Sequence, residues 1–373
     1  MLLIHAVIPG ENSFLPGQCV RLEEGHITAV GPELTPTEGE AVIDLGGDYL
    51  LPGFVDVHIH GCEGCDSMAG EEALRQMSRS LLGAGVAAFL PTTMSASAED
   101  TRRAVAAVRA VMDAPEPRGA RVLGVHMEAP FLNPEKCGAQ RKEHLCTPDW
   151  NVFLDLCGGD TAAVGTITVA PELPGAETFI RQATAAGIRV SLGHSAANSE
   201  TAHAAADWGA SRVTHTFNAQ PPLHHRAPGL SGAALTDDRL YAEFIADGIH
   251  LHEDIVRLLI RCKGADRAVA VTDAMEAAGL PDGEYALGGQ PVTVQGGEAR
   301  LPGGTLAGSV LTMAQALHNL IHLFGIAPFE AVRMCTRTPA ECVGESLLGR
   351  VVPGSPAPLT RWTPNWTMAE VLA

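Results

Sequence analysis

The chain has 373 residues, long for one ordinary domain and normal for an α/β barrel carrying a small extra module. Hydrophobic residues make up 46%, enough for a sizeable core, and a net charge of −18 argues against a surface that neutralises nucleic-acid phosphates. The nine cysteines, an odd count with no repeated paired spacing, point to free thiols in a reducing compartment.

In chain order, residues 1 to about 50 read as short strands split by turns: "LLIHAVI", "QCVRLEEGHITAVG" and "AVIDLGG". The start, "MLLIHAVIPG", lacks the length and basic flank of a signal peptide, and no apolar run is long enough to span a membrane. A cytoplasmic protein with no membrane partner is expected. From residue 51 the rhythm becomes strand, then helix. The strands are "GFVDVHI", "GVAAFLPT", "ARVLGVHME", "VGTITVAPE", "IRVSLGH", "SRVTHTF", "YAEFIAD" and "RAVAVTD". Helices such as "EEALRQMSRSLLGAG" and "HEDIVRLLIRCKG" lie between several of them, with apolar residues at helical spacing. Eight such strands are the count of a (β/α)8 TIM-type barrel. A turn-rich insert follows, "GLPDGEYALGGQPVTVQGGEARLPGG", which reads as a hairpin. Two more helices are expected near 309–324 and 328–336, and a tail from about 350 that can return to the N-terminal strands. The expected division is therefore 1–50 plus 350–373 as a small β module and 51–349 as the barrel.

In such barrels chemistry sits at the C-terminal ends of the strands. Read to its end, strand one offers His58 and His60, strand three Glu128, strand five His194 and strand six His215. Strand seven leads to His250 and strand eight to Asp273. A lone histidine at a strand end is more often a hydrogen-bonded core residue than a ligand. Seven ligating or acid–base residues on one rim instead suit a divalent metal. Strand four ends in "VAPE" and supplies no lysine for a carbamylated bridge. Cys62 and Cys65 form a lone CxxC with no second pair, so a zinc ribbon is not indicated. His318 and His322 lack the glutamate of an HExxH site and read as a helix face. His224 and His225 sit in a turn-rich loop that suits a substrate rim better than a metal.

The segments "PGFVDVHIHG", "GVHMEAPFLNPEKCGAQ", "SLGHS", "THTFNAQPPLHHRAPG", "ADGIHLH", "VTDAM" and "LAGSVLTM", in this order from about residue 50 to 315, resemble the N-acetylglucosamine-6-phosphate deacetylases of the amidohydrolase superfamily. The resemblance implies a barrel plus a small β-sandwich built from both termini. It implies a divalent metal, with zinc the expected one, held by Glu128, His194 and His215, and Asp273 as general base and acid. His58 and His60 would add a second metal site bridged by Glu128, or else orient neighbouring groups. Asn218, Ala219, Arg226 and His250 would grip the sugar phosphate, with Arg226 reaching in from the other subunit of a homodimer. Ala139 would line the sugar pocket, and Leu306, Ala307 and Gly308 its far wall. Departures are Ala129, where the family often has glycine and which would crowd the metal or substrate slightly, Gln140 in place of a histidine in some members, "NAQ" for "NAM", and Pro358 where a buried aspartate is usual. The implied reaction releases acetate from N-acetylglucosamine 6-phosphate to leave glucosamine 6-phosphate. Alternatives are an amidohydrolase acting on another N-acyl amino sugar or a cyclic amide, and a barrel that has lost catalysis; the complete set of rim residues speaks against the latter.

Overall fold

The computed structural model describes residues 1–372. Strands from both ends of the chain share a seven-stranded sheet. Its order is Met368–Leu372, Leu359–Trp362, Tyr49–Pro52, Leu2–Pro9, Phe14–Glu23 and His26–Gly31, with Val42–Asp44 also on Leu2–Pro9. The stretch read as one segment, "QCVRLEEGHITAVG", folds back on itself. Glu24 and Gly25 both take positive φ, 48° and 74°, between the paired Glu23 and His26. Two left-handed residues are what a tight two-residue hairpin needs. Leu3, Val20, Ile27, Leu50 and Leu359 form this sheet's own core.

The barrel strands are Phe54–Ile59, Val86–Thr93, Val125–Met127, Val164–Val169, Arg189–Leu192, Arg212–Val213, Tyr241–Ile245 and Ala268–Val271, each parallel to its neighbour. The first and last meet through one parallel bridge, Ile59 to Ala274, so the eight strands nearly close. Strands one, two and eight are buried along their whole length, as strands covered by helices outside and packed against each other inside must be. The outer helices show why they form: Glu71–Gly83 buries Leu74, Met77, Ser78 and Leu81, one stripe at helical spacing.

Four elements differ from the sequence reading. The third strand begins as a separate piece, Arg121–Val122, and breaks at Gly124, whose φ is 128° and where an added Cβ would lie 2.9 Å from the Gly165 nitrogen. Helix Gly229–Thr236 was hidden because it is buried nearly all round, "GLSGAALT", and shows no polar face. A short helix, Arg337–Cys342, follows Pro328–Cys335. The insert is not a hairpin but three antiparallel strands, Gly283–Leu287, Gln290–Gln295 and Glu298–Arg300. These pack Leu287, Val292, Val294 and Ala299 against Met94, Met275 and Ala307. Among the described residues no helix is long and apolar enough to cross a membrane.

Candidate metal centre

Inside the barrel, below the rim, the layer is polar rather than aliphatic. His126 and Thr168 hydrogen-bond at 2.8 Å, Thr168 and Thr214 at 2.9 Å, and Arg212 donates to Thr166 at 2.8 Å. Above this layer two buried groups converge, His58 with His60 and Asp273, and Glu128 with His194 and His215. Glu128 stands between them. Its Oε1 lies 3.0 Å from Nε2 of both His194 and His215, and its Oε2 3.3 Å from Nε2 of His60. His58 and His60 place Nε2 3.4 and 3.2 Å from Oδ1 of Asp273.

The hydrogen bonds behind the rings decide what the front offers. Nδ1 of His194 and of His60 lie 2.8 and 3.2 Å from the carbonyls of Lys136 and Thr92. A carbonyl only accepts, so both rings carry a proton on Nδ1 and turn Nε2 towards the carboxylates, where its lone pair is open to a cation or a second proton. Nε2 of His194 and of His215 face each other at 3.1 Å, and the buried Nε2 of His58 has no hydrogen-bond partner at all. Imidazole lone pairs aimed at carboxylate oxygens need a positive charge between them. The donor set, nitrogen and oxygen atoms of imidazole and carboxylate, fits a divalent cation such as zinc. The same demand shows in the titration of the site. Burial pushes His60 down, yet Asp273 and Glu128 pull it up to about 10. Burial raises Asp273, but His58, His60 and His215 outweigh it and hold it at about 2.

The backbone here is strained. Among the described non-glycine residues with positive φ, His194 (47°), His215 (25°), Phe217 (77°), Ala219 (52°) and Asp273 (49°) all lie on this rim. Such conformations persist only where the surroundings impose them.

A cavity of about 350 Å³ opens onto the centre, the size of a small-ligand cleft. Ala139, Asn218, Ala219, His250, Leu306 and Gly308 line it together with His60, Glu128, His194, His215 and Asp273. Nδ2 of Asn218 is buried without a hydrogen-bond partner, a donor awaiting an acceptor. Nδ1 of His250 lies 2.6 Å from Asp247. Burial lowers the pKa of His250, but Asp247 outweighs this and keeps it above the ordinary value. His58 lies behind His60, fully buried and outside the cavity wall.

Three expectations meet a different geometry. Ala307 does not face the cavity: it is fully buried in the core under the insert, because successive residues of an extended segment point to opposite sides. Ala129 does not crowd the centre either; with Pro130 it lines a separate cleft towards Leu145 and Cys146. Arg226, His224 and His225 are exposed, and none lines this chain's cavity. Gln140 proves more specific than its residue type suggested. Its Oε1 accepts the Ser95 N–H at 2.6 Å, which fixes the amide so that Nε2 donates to Glu128 Oε2 at 2.6 Å. Sequence reasoning missed Met94, Leu287, Arg300 and Thr305 as lining residues. Arg300 and Thr305 flank the turn leading to Leu306, and "EARLPGGTLAGS" marks that turn, but not which way its side chains face.

A nearly closed parallel barrel with histidines and carboxylates converging at its rim defines an amidohydrolase, and residues 49–371 match the amidohydrolase family. The chain is 37% identical to an N-acetylglucosamine-6-phosphate deacetylase of Lysinibacillus sphaericus, covering 90% of this chain and 86% of that protein. It is 36% identical to an N-acetylgalactosamine-6-phosphate deacetylase of Escherichia coli O157:H7, covering 93% and 91%. The crystal structure of the Pasteurella multocida N-acetylglucosamine-6-phosphate deacetylase superposes with a TM-score of 0.93 at 32% identity, covering 99% and 97%. The chain belongs to the N-acetylglucosamine-6-phosphate deacetylase family of amidohydrolases.

Proposed function

We propose that the chain hydrolyses N-acetylglucosamine 6-phosphate to glucosamine 6-phosphate and acetate. The observation that carries this reading is the cavity itself: two groups able to hold a metal converge at its floor, His58 alone set back from it, while the unpartnered Asn218 amide and the positively poised His250 stand on its wall. Glu128, His194 and His215 would hold the principal divalent cation, zinc by its ligand chemistry, and His58, His60 and Asp273 a second one with Glu128 between them. A bound cation in such a site supplies Lewis acidity, which acidifies water towards a pKa of about 7 and polarises an amide carbonyl. Asp273, ionised and fixed by its strained backbone, takes the proton from the attacking water and returns it to the departing amine nitrogen. Asn218 and the Ala219 backbone, with His250, receive the phosphate. Ala139, Leu306 and Gly308 shape the sugar's walls, and we assign Ala307 to supporting that wall from behind.

We further read the chain as a homodimer. Arg226 is exposed on a loop beside the exposed Leu223 and away from its own cavity, a placement suited to completing the neighbouring site. We take 1–50 with 350–373 as a small β-sandwich module and 51–349 as the catalytic barrel. All nine cysteines are free, which suits the cytoplasm. A second reading, another N-acyl amino sugar phosphate, is favoured by the galactosamine relative, which resembles this chain about as closely as the first.

The test is to strip the protein of metal and restore Zn²⁺ while following acetate release. N-acetylglucosamine 6-phosphate, its galactosamine epimer and unphosphorylated N-acetylglucosamine are compared. Zinc-dependent release, fastest from the glucosamine phosphate and weak without phosphate, is expected. Faster release from the epimer would transfer the assignment to it, and no release from any of the three by folded, metal-loaded protein would remove the reading.

A further inference from the structure

Beneath the rim, one buried ion pair addresses the imidazole of a single histidine of the centre. Glu243, on the strand Tyr241–Ile245, places Oε2 3.2 Å from Nδ1 of His58 and Oε1 on the guanidinium of Arg212. All three side chains are fully buried. Nδ1 of His60 and of His194 rest on neutral backbone carbonyls, and Nδ1 of His215 has no partner. Only His58 has a carboxylate behind it.

An ion pair this deep is weak evidence for stability, because desolvation offsets the attraction, and barrel interiors are ordinarily filled by branched aliphatic side chains. What the pair does is fix the imidazole. The Glu243 carboxylate accepts a hydrogen bond from Nδ1–H, so the ring cannot flip without losing that bond, and its Nε2 points at the cluster. Nε2 lies 3.4 Å from Asp273 and 3.7 Å from Glu128 and has no hydrogen-bond partner. A carboxylate behind a ligating histidine also makes the front nitrogen a better electron-pair donor. Arg212, held in turn by Thr166 at 2.8 Å, keeps the carboxylate in place.

We propose that the buried Arg212–Glu243 pair is a positioning device that commits His58 to a second divalent cation, shared with His60 and Asp273. This rests on the two-cation reading above. No side chain of the first site, Glu128, His194 and His215, touches the pair; Glu243 Oε2 meets His215 only at its backbone N–H, at 3.4 Å.

The experiment titrates metal-free protein with Co²⁺, read as metal bound per chain and as the visible spectrum of each added equivalent. The parent is compared with the double variant Arg212→Met/Glu243→Leu, which replaces the ion pair by apolar side chains and leaves no charge unpaired. The parent is expected to bind two equivalents. The variant should keep the first with much the smaller change in affinity and bind the second about 10–100-fold more weakly. Unchanged second-site affinity in a folded variant overturns the proposal and leaves the two-cation reading standing. A parent that binds only one equivalent overturns that reading and the proposal with it. Should the double variant fail to fold, the ¹⁵N shifts of His58 in the metal-free parent decide: a proton on Nδ1 is expected, with or without a second on Nε2, and a ring whose only proton is on Nε2 overturns the proposal.

Discussion

Asp273 sits at φ 49°, a conformation that costs a non-glycine residue about 1–3 kcal/mol, and its carboxylate is held ionised among three histidines. Asp273→Asn is expected to retain the cation at Glu128, His194 and His215 while kcat falls about 10²–10⁴-fold, the usual worth of a general acid–base group; near-parental turnover would exclude Asp273 as the proton carrier. Gln140 acts on Glu128 through one rigid amide. Gln140→Leu leaves both the Ser95 N–H and Glu128 short of a partner, so metal-free protein should lose about 1–3 kcal/mol in a urea melt. Glu243→Leu alone strands the buried Arg212 charge and should cost about 3–5 kcal/mol. The rim was legible in the sequence because ligating residue types recur at strand ends. Glu243 and Arg212 were not, since in "YAEFIAD" and "SRVTHTF" they look like the polar half of an alternating strand. Only closure of the barrel turns that half inward and brings strands six and seven under strand one.

At the scale of elements, amphipathic helices and buried strands announced themselves, whereas elements without a pattern did not. "GLSGAALT" has no polar face to give a period, and the third strand of the insert is three residues long. The small sheet depends on a clamp that no periodicity shows: Arg21, on the strand Phe14–Glu23, donates to both oxygens of Glu40 at 2.8 and 3.0 Å. The Arg21 hydrogen bond and the Thr37 N–H depress the Glu40 carboxyl from its ordinary 4.5 to about 2. A depressed carboxyl stabilises the fold above its unfolded pKa, and that contribution fades as pH falls through the folded one. Glu40→Gln should therefore melt below the parent at pH 7, with the gap closing between about pH 4.5 and pH 2. A gap independent of pH would remove the charge from this account.

For the whole molecule, the placement of Arg226 predicts complementation. If it serves the neighbouring site, Arg226→Ala and Asp273→Asn chains are each impaired alone, yet a mixed dimer holds one intact site. Random re-pairing of equal amounts would make half the dimers mixed and restore about a quarter of parental sites. Activity no greater than the sum of the two variants would place Arg226 outside the partner's site. Subunit pairing of this kind leaves no period or spacing in a sequence; the expectation came from the loop's resemblance to the family alone.

The wall of the cavity built by Leu287, Arg300, Thr305 and Leu306 stands on a satellite core separate from that of the barrel. The reacting end and the admitting end meet at few points: Met94 of that core lies 3.4 Å from Nε2 of Gln140, Met275 is two residues from Asp273, and Gln290 of the insert donates to the Ala139 carbonyl at 2.7 Å. Variation at the outward-facing side chains of the insert can reshape what enters, whereas variation in its core reaches Gln140 and Asp273 and so touches the chemistry as well.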